Sequence, residues 1–260
     1  MRPAELLSAM TAAEREAAGL MREAHDILAE CKTGHRDVVT AYDRKVQELL
    51  IARLSEAVPG ARFFCEENDR HDELSAEYLF IIDPIDGTMN FVRGLHHSCI
   101  SVACCCGGVL TAAAIYNPYA DEMFTALRGE GALCNGRAIR VTADPFCETV
   151  TACGTSPYNP ELTDKTFALL RMAFLESLDI RREGSAALDL CSAAAGRVGV
   201  YVEPSISLWD YAAGKLIVEE AGGVCRTLEG EELPFDGRKS SVVAGSRENV
   251  AEFLRLAAKL

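Results

Sequence analysis

The sequence is short of basic residues: 26 Lys and Arg stand against 39 Asp and Glu, a net charge of −13. No basic stripe is available to neutralise a phosphate backbone, which excludes nucleic acid as the expected partner. Long apolar runs are missing too, and nothing reaches the roughly 18–20 unbroken apolar residues of a membrane span. The opening Met-Arg-Pro-Ala-Glu-Leu-Leu soon takes on Glu and Arg and does not read as a signal peptide, so a cytoplasmic location is expected. Among the 11 cysteines there is no Cys-x-x-Cys pair. The odd count and the adjacent run Cys104-Cys105-Cys106 speak against both a disulfide framework and structural zinc. Cys99, Cys104 and Cys191 sit in apolar stretches, where a reduced thiol behaves as a small core residue. Fixed-period repeats, low-complexity tracts and Gly/Ser linkers are absent as well.

What is present is an ordinary globular composition, 49% apolar and 25% charged over 260 residues. The expectation is one domain over 1–260, with subdomains of about 1–155 and 156–260. A helix is predicted over 11–31, opened by Thr11 and Glu14 as a capping box, and a second over 40–57, ended by Val58-Pro59-Gly60. From there to about 155 the pattern is mainly strand. Tyr78–Ile82 reads as a buried strand, and the runs 98–106 and 109–116 flank the hairpin signal Gly107-Gly108. Strands over 122–126 and 138–141 flank a turn-rich stretch, 128–136. The second half alternates: helix 160–177, strand 178–182, helix 185–195, strand 198–203, helix 207–221, strand 241–244 and a closing helix capped by Ser246. Layers of helix and sheet, an α/β or α+β sandwich, follow from that pattern.

The chemistry concentrates in Asp83-Pro84-Ile85-Asp86-Gly87-Thr88-Met89-Asn90-Phe91. Two carboxylates three residues apart close a buried strand, on a turn made by Pro84 and Gly87. Such a turn can aim both side chains and an intervening carbonyl at one spot, the oxygen environment that Mg²⁺ takes. An Asx-turn closing a strand is the bland alternative for an isolated pair. Glu66-Glu67 follows the apolar Phe63-Phe64-Cys65 and alone would be a solvated loop pair. Asp210 opens an apolar helix in Ser207-Leu208-Trp209-Asp210, where complementing the helix dipole would suffice to explain it.

Together these segments resemble the inositol monophosphatase family. Asp83-Pro84-Ile85-Asp86-Gly87-Thr88 is similar to its signature, and Glu66-Glu67 and Trp209-Asp210 with Gly214 to its other two motifs, in the same order. Further likeness lies in Asp37-Val38-Val39-Thr40 with Asp43, in Gly129-Glu130-Gly131-Ala132 with Asn135-Gly136, and in Ala221-Gly222-Gly223-Val224; it covers roughly 30–245.

The resemblance implies a layered αβαβα sandwich, a homodimer, two or three Mg²⁺ per subunit and inhibition by Li⁺. By carry-over, Glu66, Asp83 and the Ile85 carbonyl would hold one ion, and Asp83, Asp86 and Asp210 a second, with a third near Glu66. Glu67 would orient ligands or water from behind. Lys32, Asp37 and Thr40 match a mobile loop that closes the site. Thr88, hydrogen-bonded to Asp43, would position the attacking water, and the Gly87 and Thr88 N–H groups, with Asp86 and Asp210 nearby, would meet the phosphate. Gly184, Ser185, Ala186 and Glu203 match positions that contact polyol hydroxyls.

Leu95-His96-His97-Ser98 departs from the family, and the two histidines read as a loop variation rather than metal ligands, because no partner His or Cys stands at ligand spacing. At the pocket mouth they would meet a second anionic group. The expected activity is hydrolysis of inositol monophosphate or another small polyol or sugar phosphate. Rivals on the same scaffold are fructose-1,6-bisphosphatase, 3′(2′),5′-bisphosphate nucleotidase and histidinol-phosphate phosphatase. A non-catalytic regulatory binding protein and a carboxylate-pair glycosidase are rivals of other classes.

Overall fold

The computed structural model describes residues 1–34, 37–68, 73–155 and 160–260, with backbone alone for 32–34 and 37. The chain opens with helix α1 (Pro3–Arg22), the hairpin β1 (Ala29–Gly34) and β2 (Asp37–Thr40), and helix α2 (Ala41–Ala57). Seven strands follow: β3 (Arg62–Cys65), β4 (Tyr78–Asp86), then after the short helix α3 (Thr88–Val92), β5 (Cys99–Cys106), β6 (Val109–Asn117), β7 (Glu122–Leu127), β8 (Gly131–Cys134) and β9 (Arg137–Ala138). They pair in sequence order into one sheet, antiparallel except where β3 runs parallel to β4.

The remainder supplies β10 (Val150–Cys153), α4 (Thr163–Glu176), β11 (Asp179–Arg181), α5 (Ala186–Ala194), β12 (Val200–Ile206), α6 (Leu208–Glu220), β13 (Val224–Arg226), β14 (Ser240–Gly245) and α7 (Arg247–Ala257). Its five strands form a second sheet in the order β11-β10-β12-β14-β13. Pairing is parallel on both sides of β10 and antiparallel on both sides of β14.

Three apolar clusters show the layers. Helices α1 and α2 cover one face of the seven-stranded sheet through Leu6, Met10, Val46, Leu50, Phe80 and Ile82. Helices α5 and α6 fill the space between the sheets, with Leu190, Leu216 and Ile217 packed among Ile81, Ile115 and Tyr201. Helices α4 and α7 cover the outer face of the second sheet through Leu169, Met172, Val250 and Phe253. The order is therefore αβαβα, as the resemblance implies. All eleven thiols are free. Among the described residues no helix is long and apolar enough to cross a membrane.

Several sequence boundaries need correction. The first helix runs over Pro3–Arg22 rather than 11–31, because Pro3 is already suited to a first helical turn. Thr11 lies inside it and donates its hydroxyl to the Ser8 carbonyl at 3.1 Å. Glu14 is buried on the apolar face rather than reaching back as a cap. Asp26, with φ +49°, helps turn the chain away from the helix. The residues matched to a mobile loop, Lys32, Asp37 and Thr40, fall on the paired strands β1 and β2; the side chains of Lys32 and Asp37 lie outside the described residues. Strands β8 and β13 were also not legible, being only four and three residues long.

Candidate metal centre

Asp83 and Asp86 are three apart, and in a regular strand such residues face opposite sides of the sheet. Strand β4 avoids this with a bulge. Asp83 pairs with Ser101 and Asp86 with Cys99, so three steps on β4 match two on β5. The extra residue returns both side chains to one side, and Pro84 sits in the bulge, where its missing N–H breaks no regular ladder.

Asp210 arrives from the far half of the chain, in the first turn of α6. Its carboxylate accepts the Ser207 N–H at 2.6 Å, and the Ser207 hydroxyl caps the same turn. One oxygen from each of Asp83, Asp86 and Asp210 lies within 4.8 Å of the others.

Like charges crowded in a buried place raise one another's pKa. Burial, then Glu66, Asp86 and Asp210, push the Asp83 carboxyl well above the ordinary range, and Glu66 is also hydrogen-bonded to it. Asp210 is raised by burial, Asp86 and Glu66. Asp86 is raised by burial too, but the Ser185 hydroxyl and the Ala187 N–H, which donates at 2.7 Å, pull it back. A convergent set of oxygens that repel unless neutralised fits a hard divalent cation. The donor set is thus right for the implied metal.

Around this cluster the other expected residues take definite positions. Glu66 follows β3 and donates its N–H to the Ile82 carbonyl, which sets the Glu pair beside the end of β4. Thr88 opens α3, and its hydroxyl lies 3.2 Å from the Asp43 carboxylate and 3.1 Å from the Ile85 carbonyl, able to donate to either. Asp43 is buried, and accepts the N–H of Thr40 at 2.8 Å and its hydroxyl at 2.6 Å. Thr40 therefore caps α2 and holds Asp43 toward Thr88. Gly87 has φ +85°, and a Cβ there would lie 3.0 Å from the His97 carbonyl and 3.1 Å from that of Gly184. Only glycine closes this turn without strain.

Ser185 caps α5 and binds Asp86, which places Gly184, Ser185 and Ala186 against the carboxylates. Glu203 on β12 accepts the Tyr201 hydroxyl at 2.7 Å, and its carboxylate fills the space beside Gly154.

Sequence reasoning missed three supports. Gln47 stands one helical turn after Asp43; its side-chain carbonyl accepts the Glu67 N–H at 3.1 Å and its amide donates to Asn68 at 3.0 Å, fixing the turn behind the Glu pair. Two buried polar residues at i and i+4 on the stripe of Val46, Leu50 and Leu54 were the available signal. Asn90 donates to the carbonyls of His97 and Glu183, each at 2.7 Å, and joins the two loops that flank Gly87. Cys99, expected only as core, places its thiol 3.8 Å from Asp86.

His97 lies in the loop between α3 and β5. Partners do stand near it, but they are carboxylates from a distant part of the chain. Glu183 and Asp189 bring ligand atoms within 4.8 Å of a ring nitrogen of His97 and of one another. His96, next to it, stacks on Tyr119 instead.

Five layers of helix and sheet around a buried, oxygen-rich carboxylate cluster define the class, an α/β protein built around an acidic centre. The chain belongs to the inositol monophosphatase family, whose sequence pattern matches residues 3–260. It is 36% identical over 248 residues to a putative Nus factor SuhB of Neisseria meningitidis serogroup B, covering 94% of each chain. It is 38% identical over 214 residues to an inositol-1-monophosphatase of Mesorhizobium japonicum, covering 82% of this chain and 80% of that one. The solved structure of extragenic suppressor protein suhB from Bartonella henselae superposes with a TM-score of 0.90 at 35% identity, over 97% of this chain and 98% of the other.

Proposed function

We propose that the chain is a Mg²⁺-dependent phosphomonoesterase that hydrolyses inositol monophosphate or a related small polyol or sugar phosphate. The convergence of Asp83, Asp86 and Asp210 carries this reading. Glu66, Asp83, Asp86, Asp210 and the Ile85 carbonyl would hold two or three ions, and Glu67 would orient them from behind. Bound Mg²⁺ supplies Lewis acidity toward the phosphate and a lowered pKa for a bound water.

The protein's own part is placement. Thr88 gives its hydroxyl proton to Asp43 or to the Ile85 carbonyl, which leaves its lone pairs to hold a water for in-line attack. Glu66 assists by accepting from that water. The Gly87 and Thr88 N–H groups bind phosphate oxygens, beside Asp86 and Asp210. Gly184, Ser185, Ala186 and Glu203 face the polyol, with Glu203 accepting from its hydroxyls. Lys32, Asp37 and Thr40 close the site from the hairpin β1–β2. No covalent intermediate is needed. We place the protein in the cytoplasm as a Li⁺-sensitive homodimer.

Relatives named Nus factor SuhB favour a second reading, in which this chain serves as a Nus factor whether or not it turns over a phosphate ester. One assay tests the enzymatic reading. Phosphate release is measured with Mg²⁺, with and without EDTA. The substrates are inositol 1-phosphate, fructose 1,6-bisphosphate, adenosine 3′,5′-bisphosphate and histidinol phosphate. Chelator-sensitive release is expected, fastest with inositol 1-phosphate. No release from any ester at any Mg²⁺ concentration would reject the enzymatic reading and leave the regulatory one.

A further inference from the structure

A second cluster of metal-type ligands lies beside the acidic centre and is built differently. His97 sits in the loop after α3, Glu183 in the loop before α5, and Asp189 within α5. Their ligand atoms lie within 4.8 Å of one another. The His97 Nε2 is buried and 3.1 Å from Glu183 Oε2, yet the pair falls outside hydrogen-bond geometry. Asp189 is 2% exposed, and burial with the nearby charges of Glu183, Asp86 and Glu203 pushes its carboxyl well above the ordinary range against the pull of Arg182. A carboxylate buried among like charges is costly unless it is neutralised.

The spacing suits an ion. Two ligand atoms at about 2.0–2.2 Å from a metal lie roughly 3.0–3.5 Å apart when adjacent, and no more than about 4.4 Å apart across it. The His97–Glu183 distance already meets the first condition, and rotamer adjustments of a few tenths of an ångström meet the second. An imidazole nitrogen with two carboxylates favours a borderline transition ion over Mg²⁺, which prefers the all-oxygen cluster next door.

We propose that His97, Glu183 and Asp189 form a separate site for a Zn²⁺-type divalent ion. This inference does not rest on the phosphatase reading. Asn90 already ties the carbonyls of His97 and Glu183 together, so the backbone of the site is braced before any ion arrives. An ion there fastens the two loops that pack on Gly87, and so stiffens the turn that presents Thr88.

The test uses Zn²⁺ alone, on the full chain and on a D83N/D210N variant that disables the acidic centre. Zn²⁺ affinity is read by competition with a chromophoric chelator. The five imidazoles are followed by ¹⁵N NMR, with His97 assigned through His97→Gln. The double variant is expected to keep one Zn²⁺, and the His97 nitrogen to shift as it binds. His97→Gln and Asp189→Asn should each weaken that binding at least tenfold with circular dichroism unchanged. Unaltered affinity in both variants, or a His97 resonance that stays in place on the wild-type chain, would overturn the proposal. Should His97→Gln fail to fold, Asp189→Asn and the wild-type spectrum, with His97 assigned through the backbone, decide the question. Zn²⁺ binding that vanishes in D83N/D210N while the wild-type His97 signal is unmoved assigns the ion to the acidic centre alone.

Discussion

At the scale of single residues, Asp83 is crowded by Glu66, Asp86 and Asp210 and is the least exposed of the acidic centre's three aspartates. Asp83→Asn keeps the shape but removes a charge that two ions would share. Turnover should fall more than about a hundredfold and Mg²⁺ should bind more weakly. Wild-type rate and metal affinity in that variant would refute the site assignment.

Glu14 is the opposite kind of buried acid. It is fully buried on α1, both oxygens lack a hydrogen-bond partner, and burial pushes its carboxyl well above the ordinary value of 4.5. The folded chain therefore keeps a proton that the unfolded chain releases above about pH 4.5, and stability declines as pH rises from there until the folded-state pKa is passed. Glu14→Leu removes both the titration and the unpaired oxygens. Urea denaturation should find the variant more stable than the parent by about 1–3 kcal/mol at pH 7.5. The excess at pH 7.5 should exceed that at pH 4, where the parent is protonated in both states. A variant less stable at pH 7.5 than at pH 4, relative to its parent, would show that the carboxylate is charged and satisfied in the fold.

At the scale of elements, the site depends on close approaches that side chains elsewhere prevent. Gly154 ends β10 against Glu203 on β12, and a Cβ there would fall 1.9 Å from the Glu203 Oε2. Gly154→Ala must swing that carboxylate away. If Glu203 binds substrate hydroxyls, KM for inositol 1-phosphate should rise severalfold with kcat little changed, and Glu203→Gln should act in the same direction. Identical kinetics in both variants would remove Glu203 from the substrate site.

The same scale explains what was legible beforehand. Strands β4, β5 and β6 could be read because each is a long apolar run, and α2 because Thr40, its cap, and its periodic stripe agree. The bulge at Pro84 could not be located, since sequence spacing states that Asp83 and Asp86 are three apart but not which way they face. Thr11 and Glu14 imitate a cap inside a helix that Pro3 has already begun, so the sequence alone starts that helix too late. Asp189 gave no signal at all: it is one acid in the apolar stretch Ala186–Leu190, and its neighbours His97 and Glu183 meet it only through the fold.

For the whole molecule, the layers explain why the centre lies where it does. Strand β4 of the first sheet and helix α6 of the middle layer deliver their carboxylates to one place, and α5 adds the Ser185 support. Each layer covers most of the apolar face it meets, and along α4 large side chains stay bare. There Phe167, Phe174 and Leu175 are 62%, 57% and 59% exposed, and Leu178 beyond the helix is 66% exposed. Phe167 and Phe174 are two turns apart and so lie on one stripe. Large apolar side chains gathered on one face are the usual mark of an association surface. The expected homodimer would bury this stripe. Phe174→Glu with Leu178→Glu places charges in it without touching the carboxylates, so sedimentation should change from dimer to monomer while the fold is retained. A dimer that survives both substitutions would put the subunit contact on another face, and a wild-type chain that sediments as a monomer would reject the homodimer.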